Sequence, residues 1–175
     1  KNKSVAIVAP LPVETKSGAK IDSQDFILRP GLSYHPKDLN PLIYGSRTDI
    51  GSLNVAGIQV SKGLSNNKLI VGKDIKYLIF RNLDNTILKN FKFKIPVIKK
   101  RTLSGGDILS GINLNNVPQI VIFLLASGVS KIYLYSMNFY MSSNIYLESY
   151  SSSLPTLHTL FYGDSLVAGL IYLKR

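Results

Sequence analysis

The side chains able to do chemistry in this chain are few. It has 2 histidines, His35 and His158, 10 acidic residues and no cysteine, so thiolate nucleophiles, thiolate metal sites and disulfides are excluded. No Asp-x-Asp pair occurs, the spacing that holds Mg²⁺ or Mn²⁺ beside nucleotide phosphates. The imidazoles available for proton transfer are His35 and His158, the latter in Leu157-His158-Thr159. A lone histidine in that setting serves equally well as a surface or capping residue. Asn115 and Asn116 precede an apolar run, where their amides can hold a ribose or an anion at a helix N-terminus or simply cap the helix. Asp22, Asp25 and Arg29 stand at a spacing that suits a buried pairing between the arginine and one of the carboxylates. Gly105-Gly106 is a weak anion-cradling turn, and neither a Walker A pattern nor a G-x-G-x-x-G is present.

Two longer blocks carry a resemblance. The run Ile21-Asp22-Ser23-Gln24-Asp25-Phe26-Ile27-Leu28-Arg29, followed some twenty residues on by Arg47-Thr48-Asp49-Ile50-Gly51, resembles the long sialylmotif of the animal-type sialyltransferases. Gly128-Val129-Ser130-Lys131-Ile132-Tyr133-Leu134-Tyr135-Ser136-Met137-Asn138-Phe139-Tyr140 is similar in outline to that family's second motif. The resemblance implies a single Rossmann-like α/β domain with a mainly parallel sheet flanked by helices. It also implies metal-independent, inverting transfer of sialic acid or a related ulosonic acid from a CMP-sugar to a glycan acceptor. The donor is then a substrate, and no cofactor is expected. Pro10, Leu11, Gly31, Asn115, Asn116, Ser136 and Asn138 would surround the nucleotide, and His158 would serve the phosphate or the acceptor hydroxyl. The family's pattern is altered in places. Ala9-Pro10-Leu11 stands where a Gly-Asn-Gly or Gly-Asn-Ser is usual, Gly163 stands at the glutamate position after His158, and Tyr146 stands where a base-bearing histidine would fall.

Two rivals follow from these departures. One is a catalytically inactive sialyltransferase-like domain that binds an anionic glycan or a protein partner. The other rests on Phe161-Tyr162-Gly163-Asp164-Ser165-Leu166-Val167-Ala168-Gly169, which looks like the nucleophile block of GDSL-type esterases, although that block normally follows a first strand and here lies near the end of the chain.

The elements that must position these groups are legible in part. Ser4 to Ala9 reads as a buried first strand ended by Pro10 and Pro12, and Phe26 to Leu28 as a second strand. Pro30 to Gly51 reads as mostly loop with one short helix. Leu69 to Val71 and Ile75 to Phe80 read as strands, and Lys92 to Ile98 as an edge element because Pro96 removes a ladder donor. Pro118 to Ser127 reads as a helix capped by Gly128, and Lys131 to Tyr135 as the strand that follows; a helix closed by glycine and leading straight into a strand implies a parallel sheet. Leu154 to Leu173 has the periodicity of a final helix.

At 175 residues the chain is expected to form one domain and to bury roughly 70 per cent of its unfolded surface. The net charge of +11 is uneven: Lys89, Lys92, Lys94, Lys99, Lys100 and Arg101 form a run with no acid inside it. That run can be a solvated edge, or it can draw in an anionic sugar nucleotide or an anionic membrane surface. Phe91 and Phe93 lie within it, but the chain's aromatic residues are mostly tyrosines on apparent strands away from this run, so nucleic acid is not the expected partner. No apolar stretch reaches the about 20 residues a spanning helix needs. The expectation is a cytoplasmic protein able to lie against the inner face of a membrane. The chain opens on Lys1 rather than Met, which leaves room for a preceding segment.

Overall fold

The computed structural model describes residues 2–30, 39–53, 75–80, 97–99 and 116–137. The strand candidate Leu69 to Val71, residues 92–96 of the edge element, the final helix Leu154 to Leu173 and the esterase-like block around Ser165 lie outside them.

Strand β1 is Ser4–Val8, whose side chains from Val5 onward are buried on both faces. A near-continuous Val/Ala/Ile run is what a central parallel strand requires, because both of its surfaces meet a core. Strand β2 is Phe26–Pro30, two residues longer than the sequence suggests. β3 (Ile50–Leu53), β4 (Tyr77–Phe80), β5 (Val97–Lys99) and β6 (Lys131–Tyr135) complete the sheet. The six described strands stand in the order β5-β4-β3-β2-β1-β6. Every neighbouring pair is parallel, with Val5 opposite both Phe26 and Ile132. The parallel sheet and the edge position of Val97–Lys99 agree with the sequence.

Three helices are described. α1 is Gly18–Asp22, α2 is Pro41–Tyr44 and α3 is Asn116–Ala126. α2 opens on Asn40, whose side chain accepts from the Leu42 amide at 3.0 Å, with Pro41 in the first helical position, where a missing N–H costs nothing. α3 closes in a Schellman motif: the Val129 amide reaches back to Leu124 O at 3.1 Å and the Gly128 amide to Leu125 O at 3.0 Å. Gly128 sits at φ 78°, the left-handed value that motif needs.

Alternation along the strands sends side chains to two cores. Val5, Ile7, Leu28, Ile50 and Ile79 pack against Ile120, Val121 and Leu124 of α3. On the other face Ala6, Val8 and Ile27 pack with Ile21 of α1 and Tyr44 of α2. The sheet is thus covered on both sides, the α/β arrangement that a wholly parallel sheet demands.

α1 and α2 touch backbone to backbone. A Cβ added at Gly18 would lie 1.9 Å from Pro41 O and 2.9 Å from the Leu42 carbonyl. Gly18→Ala should therefore push the two helices apart and lower unfolding free energy by about 1–3 kcal/mol, as overpacking does. Urea denaturation of the variant checks this; an unchanged midpoint would contradict so close an approach.

Candidate functional site

The residues of the first motif are committed to holding the fold. Arg29 is only 1% exposed. Its Nε donates to Thr48 Oγ1 at 2.9 Å, and its Nη2 donates to Tyr44 O at 2.6 Å and Arg47 O at 3.3 Å. The expected pairing with Asp22 or Asp25 is corrected by these bonds. Asp22 accepts from the Ser46 amide at 2.9 Å and from the Ser46 hydroxyl at 2.9 Å. Asp25 accepts from Lys3 Nζ at 2.7 Å and from the Ser4 amide and hydroxyl at 2.9 and 3.0 Å. The physical reason is placement: both carboxylates lie outside β2, at the end of α1 and in the turn before the strand, while Arg29 points from within the strand onto the 44–48 segment.

The second block answers the first. Arg47 Nη2 donates to the Gln24 carbonyl. Asp49, almost fully buried, accepts from the Ile27 amide at 2.9 Å and pairs with Lys76 at 2.7 Å and with Arg47 at 3.4 Å. Asp25 precedes β2, Asp49 precedes β3, Lys76 precedes β4 and Lys3 precedes β1, so this charged network lines the amino-terminal edge of the parallel sheet. It ties four strand entries together.

The opposite edge is where the strand order reverses. From β1 the chain steps outward to β2, β3, β4 and β5, whereas β6 lies on the other side of β1. In open α/β sheets ligands usually bind outside the carboxyl ends of the strands at such a reversal. Pro10 and Leu11 follow β1 at this edge, with Pro10 buried and Leu11 half-buried. Ser136 follows β6 there, and the Ala9 amide donates to Tyr135 O at 3.0 Å between the two strand ends.

α3 reaches the same edge. Its C-terminal turn lies beside the start of β1, since the Ser130 amide donates to Lys3 O at 3.0 Å. From there its 11 residues run back about 16 Å across the sheet. Asn116 and Val117 thus sit at the carboxyl edge, and Val117 and Met137 pack on the same core. The helix presents its positive end there.

Ser136 has φ 53°, a left-handed conformation that a non-glycine residue adopts at a cost of roughly 1–3 kcal/mol. Tyr135 beside it is partly buried, and burial together with the neighbouring Tyr133 pushes its hydroxyl above the ordinary value.

Of the residues singled out from sequence, Pro10, Leu11, Asn116 and Ser136 come together around this edge; Gly31, Asn115, Asn138 and His158 lie outside the described residues, as do His35, Gly105-Gly106 and Tyr146. Tyr44 was not singled out. Its hydroxyl donates to Leu11 O at 3.2 Å and accepts from the Val13 amide at 3.1 Å, a tertiary role with no local sequence signature. Among the described residues no group of three His, Asp or Glu side chains converges to hold a metal ion. None of their helices is long and apolar enough to cross a membrane. The chain matches no protein-family model and no curated protein.

Asp25 gives the amino edge a measurable signature. The Lys3 ammonium, with the Ser4 amide and hydroxyl, lowers its pKa from 3.8 to about 2. A carboxylate whose folded pKa is depressed contributes stability fully above its unfolded value and loses it as pH falls through the folded one. Asp25→Asn should therefore be less stable than the parent at neutral pH, with the gap closing between pH 3.8 and about 2. Thermal melts across that range check it; a gap independent of pH would contradict the assignment.

Proposed function

We propose that the crevice between the ends of β1 and β6 takes the nucleotide of a CMP-linked acidic sugar, and that the protein transfers sialic acid or a related ulosonic acid to a glycan with inversion. One observation carries this reading: the strand order reverses at β1, and the residues picked out by the sialyltransferase-like motifs flank that reversal, Pro10 and Leu11 on one side and Ser136 on the other. On this reading the fold is a Rossmann-like nucleotide-binding core. The positive end of α3, with Asn115 and Asn116, supplies neutral stabilisation for the departing phosphate, so no carboxylate-held cation is called for. Gly31 and Asn138 would also contact the nucleotide, as the resemblance implies. His158 takes the proton of the acceptor hydroxyl or holds the phosphate.

The net charge of +11 and the basic run from Lys89 to Arg101 favour an anionic donor and allow contact with an anionic membrane face, which fits a cytoplasmic enzyme acting on glycans at that surface. Nucleic acid is not a partner on this reading.

A second reading has its own support. Pro10 has no N–H, and the Leu11 carbonyl and Val13 amide are already bonded to Tyr44, so the loop after β1 offers few backbone groups to a donor phosphate. That favours a non-catalytic domain binding an anionic glycan or a protein partner.

Calorimetric titration with CMP and CMP-sialic acid separates the two. Dissociation constants below about 1 mM are expected for the nucleotide reading; no heat at millimolar ligand would overturn it. In the active form, His158→Ala should abolish transfer with the melting temperature nearly unchanged, and unaltered turnover would remove His158 from the mechanism. Labelling of Ser165 by a fluorophosphonate would instead favour the esterase.

A further inference from the structure

We propose that Tyr44 is a positioning residue of the carboxyl-edge crevice, fixing the loop after β1 with its hydroxyl while Arg29 fixes Tyr44 through its backbone. The pin itself is independent of what the crevice binds; its effect on a ligand rests on the nucleotide reading above.

The stretch from Ala9 to Ser17 has no regular secondary structure, and two of its residues, Pro10 and Pro12, lack amide protons. No backbone–backbone hydrogen bond among the described residues ties down residues 10–16, so their buried polar groups need partners from side chains. Tyr44 provides both kinds at one atom. Its O–H donates to Leu11 O at 3.2 Å and the same oxygen accepts from Val13 N at 3.1 Å. The ring reaches the loop through the apolar cluster of Ala6, Val8, Ile21, Ile27 and Leu39, which leaves Tyr44 only 5% exposed and with little freedom to swing.

The position of that ring is set from behind. Arg29 donates to Tyr44 O at 2.6 Å and, through Nε, to Thr48 Oγ1 at 2.9 Å. Gly45 at φ 76° ends α2 directly after Tyr44, and its Cα lies so near Asp22 that an added Cβ would come within 2.7 Å of Oδ1. The chain of contacts therefore runs from the arginine of the first motif, through α2, to the wall of the crevice. It gives that arginine a consequence for the site although its own side chain is turned away from it. Pre-ordering a loop in its ligand-bound shape raises affinity by removing an entropic cost from the binding step.

The test uses the full chain as wild type, Tyr44→Phe and Thr48→Val, read by amide hydrogen exchange and by titration with CMP. Tyr44→Phe keeps the ring in its apolar cluster and removes the hydroxyl alone. Its Val13 amide should exchange about 3- to 10-fold faster, the factor one hydrogen bond is worth, while the amides of Ile7 and Leu28 keep their protection. Its dissociation constant for CMP should rise about fivefold or more. Thr48→Val, which takes one acceptor from Arg29, should speed Val13 exchange in the same direction and by less. Unchanged Val13 exchange in Tyr44→Phe, or faster exchange shared equally by Ile7 and Leu28, overturns the pin. A Val13 amide freed in Tyr44→Phe but not in Thr48→Val overturns the link to Arg29. Val13 freed with CMP affinity unaltered overturns the positioning role. Failure of the wild-type chain to bind CMP overturns the nucleotide reading and supports the pin only if Val13 responds as stated.

Discussion

A buried arginine, Arg29, only 1% exposed on a parallel strand, is the constraint around which the described structure is arranged. Arginine cannot shed its charge, and its five N–H donors must all find acceptors when water is removed. For Arg29 those acceptors include the carbonyls of Tyr44 and Arg47 and the hydroxyl of Thr48. Meeting that demand folds the segment between β2 and β3 back over the strand that bears the arginine. It also fixes where α2 ends and where β3 begins. Removal of the side chain would leave these carbonyls buried without a donor, so this position constrains far more than its own packing.

The same segment serves both edges of the sheet. Its last residues, Arg47 and Asp49, face the amino edge, where they join Gln24, Ile27 and Lys76 in bonds that set the heights of β2, β3 and β4. Its Tyr44 faces the carboxyl edge and sets the loop after β1. Among the described residues charge is thus used for holding at the amino edge, while the carboxyl edge carries the left-handed Ser136, the N-terminus of α3 and a loop whose Val13 amide is already bonded to Tyr44.

How much of this could be read from the sequence depended on whether a residue's role was local. β1, β4, β6 and α3 are continuous apolar or β-branched runs with clear stops, and Gly128 announced its own cap. α1 carries no such signal, because Gly18-Ala19-Lys20-Ile21-Asp22 buries only its glycine and isoleucine. β3 carries no strand signal: Ile50 and Gly51 fall in the stretch that reads as loop, and its glycine and serine are held by pairing with β2 and β4 on either side. The spacing of Asp22, Asp25 and Arg29 correctly marked a structural unit and misassigned its pairing. Carboxylates are visible in a sequence, whereas backbone carbonyls, which Arg29 chose, are not. Pro10, Leu11 and Ser136 follow β1 and β6 at one edge of the sheet, as the motif outline suggests, while the role of Tyr44 has no such signal, because nothing near position 44 reveals that it meets residues 11 and 13.

The central claim is that the carboxyl edge between β1 and β6 receives the nucleotide while the charged amino edge is structural. Backbone amide chemical-shift mapping during CMP addition tests it most directly. The account predicts perturbations concentrated at Ala9, Leu11, Val117, Ser136 and Met137, with Asp25, Arg47, Asp49 and Lys76 unmoved. Perturbations centred on those four charged residues, or none at saturating CMP, would contradict it.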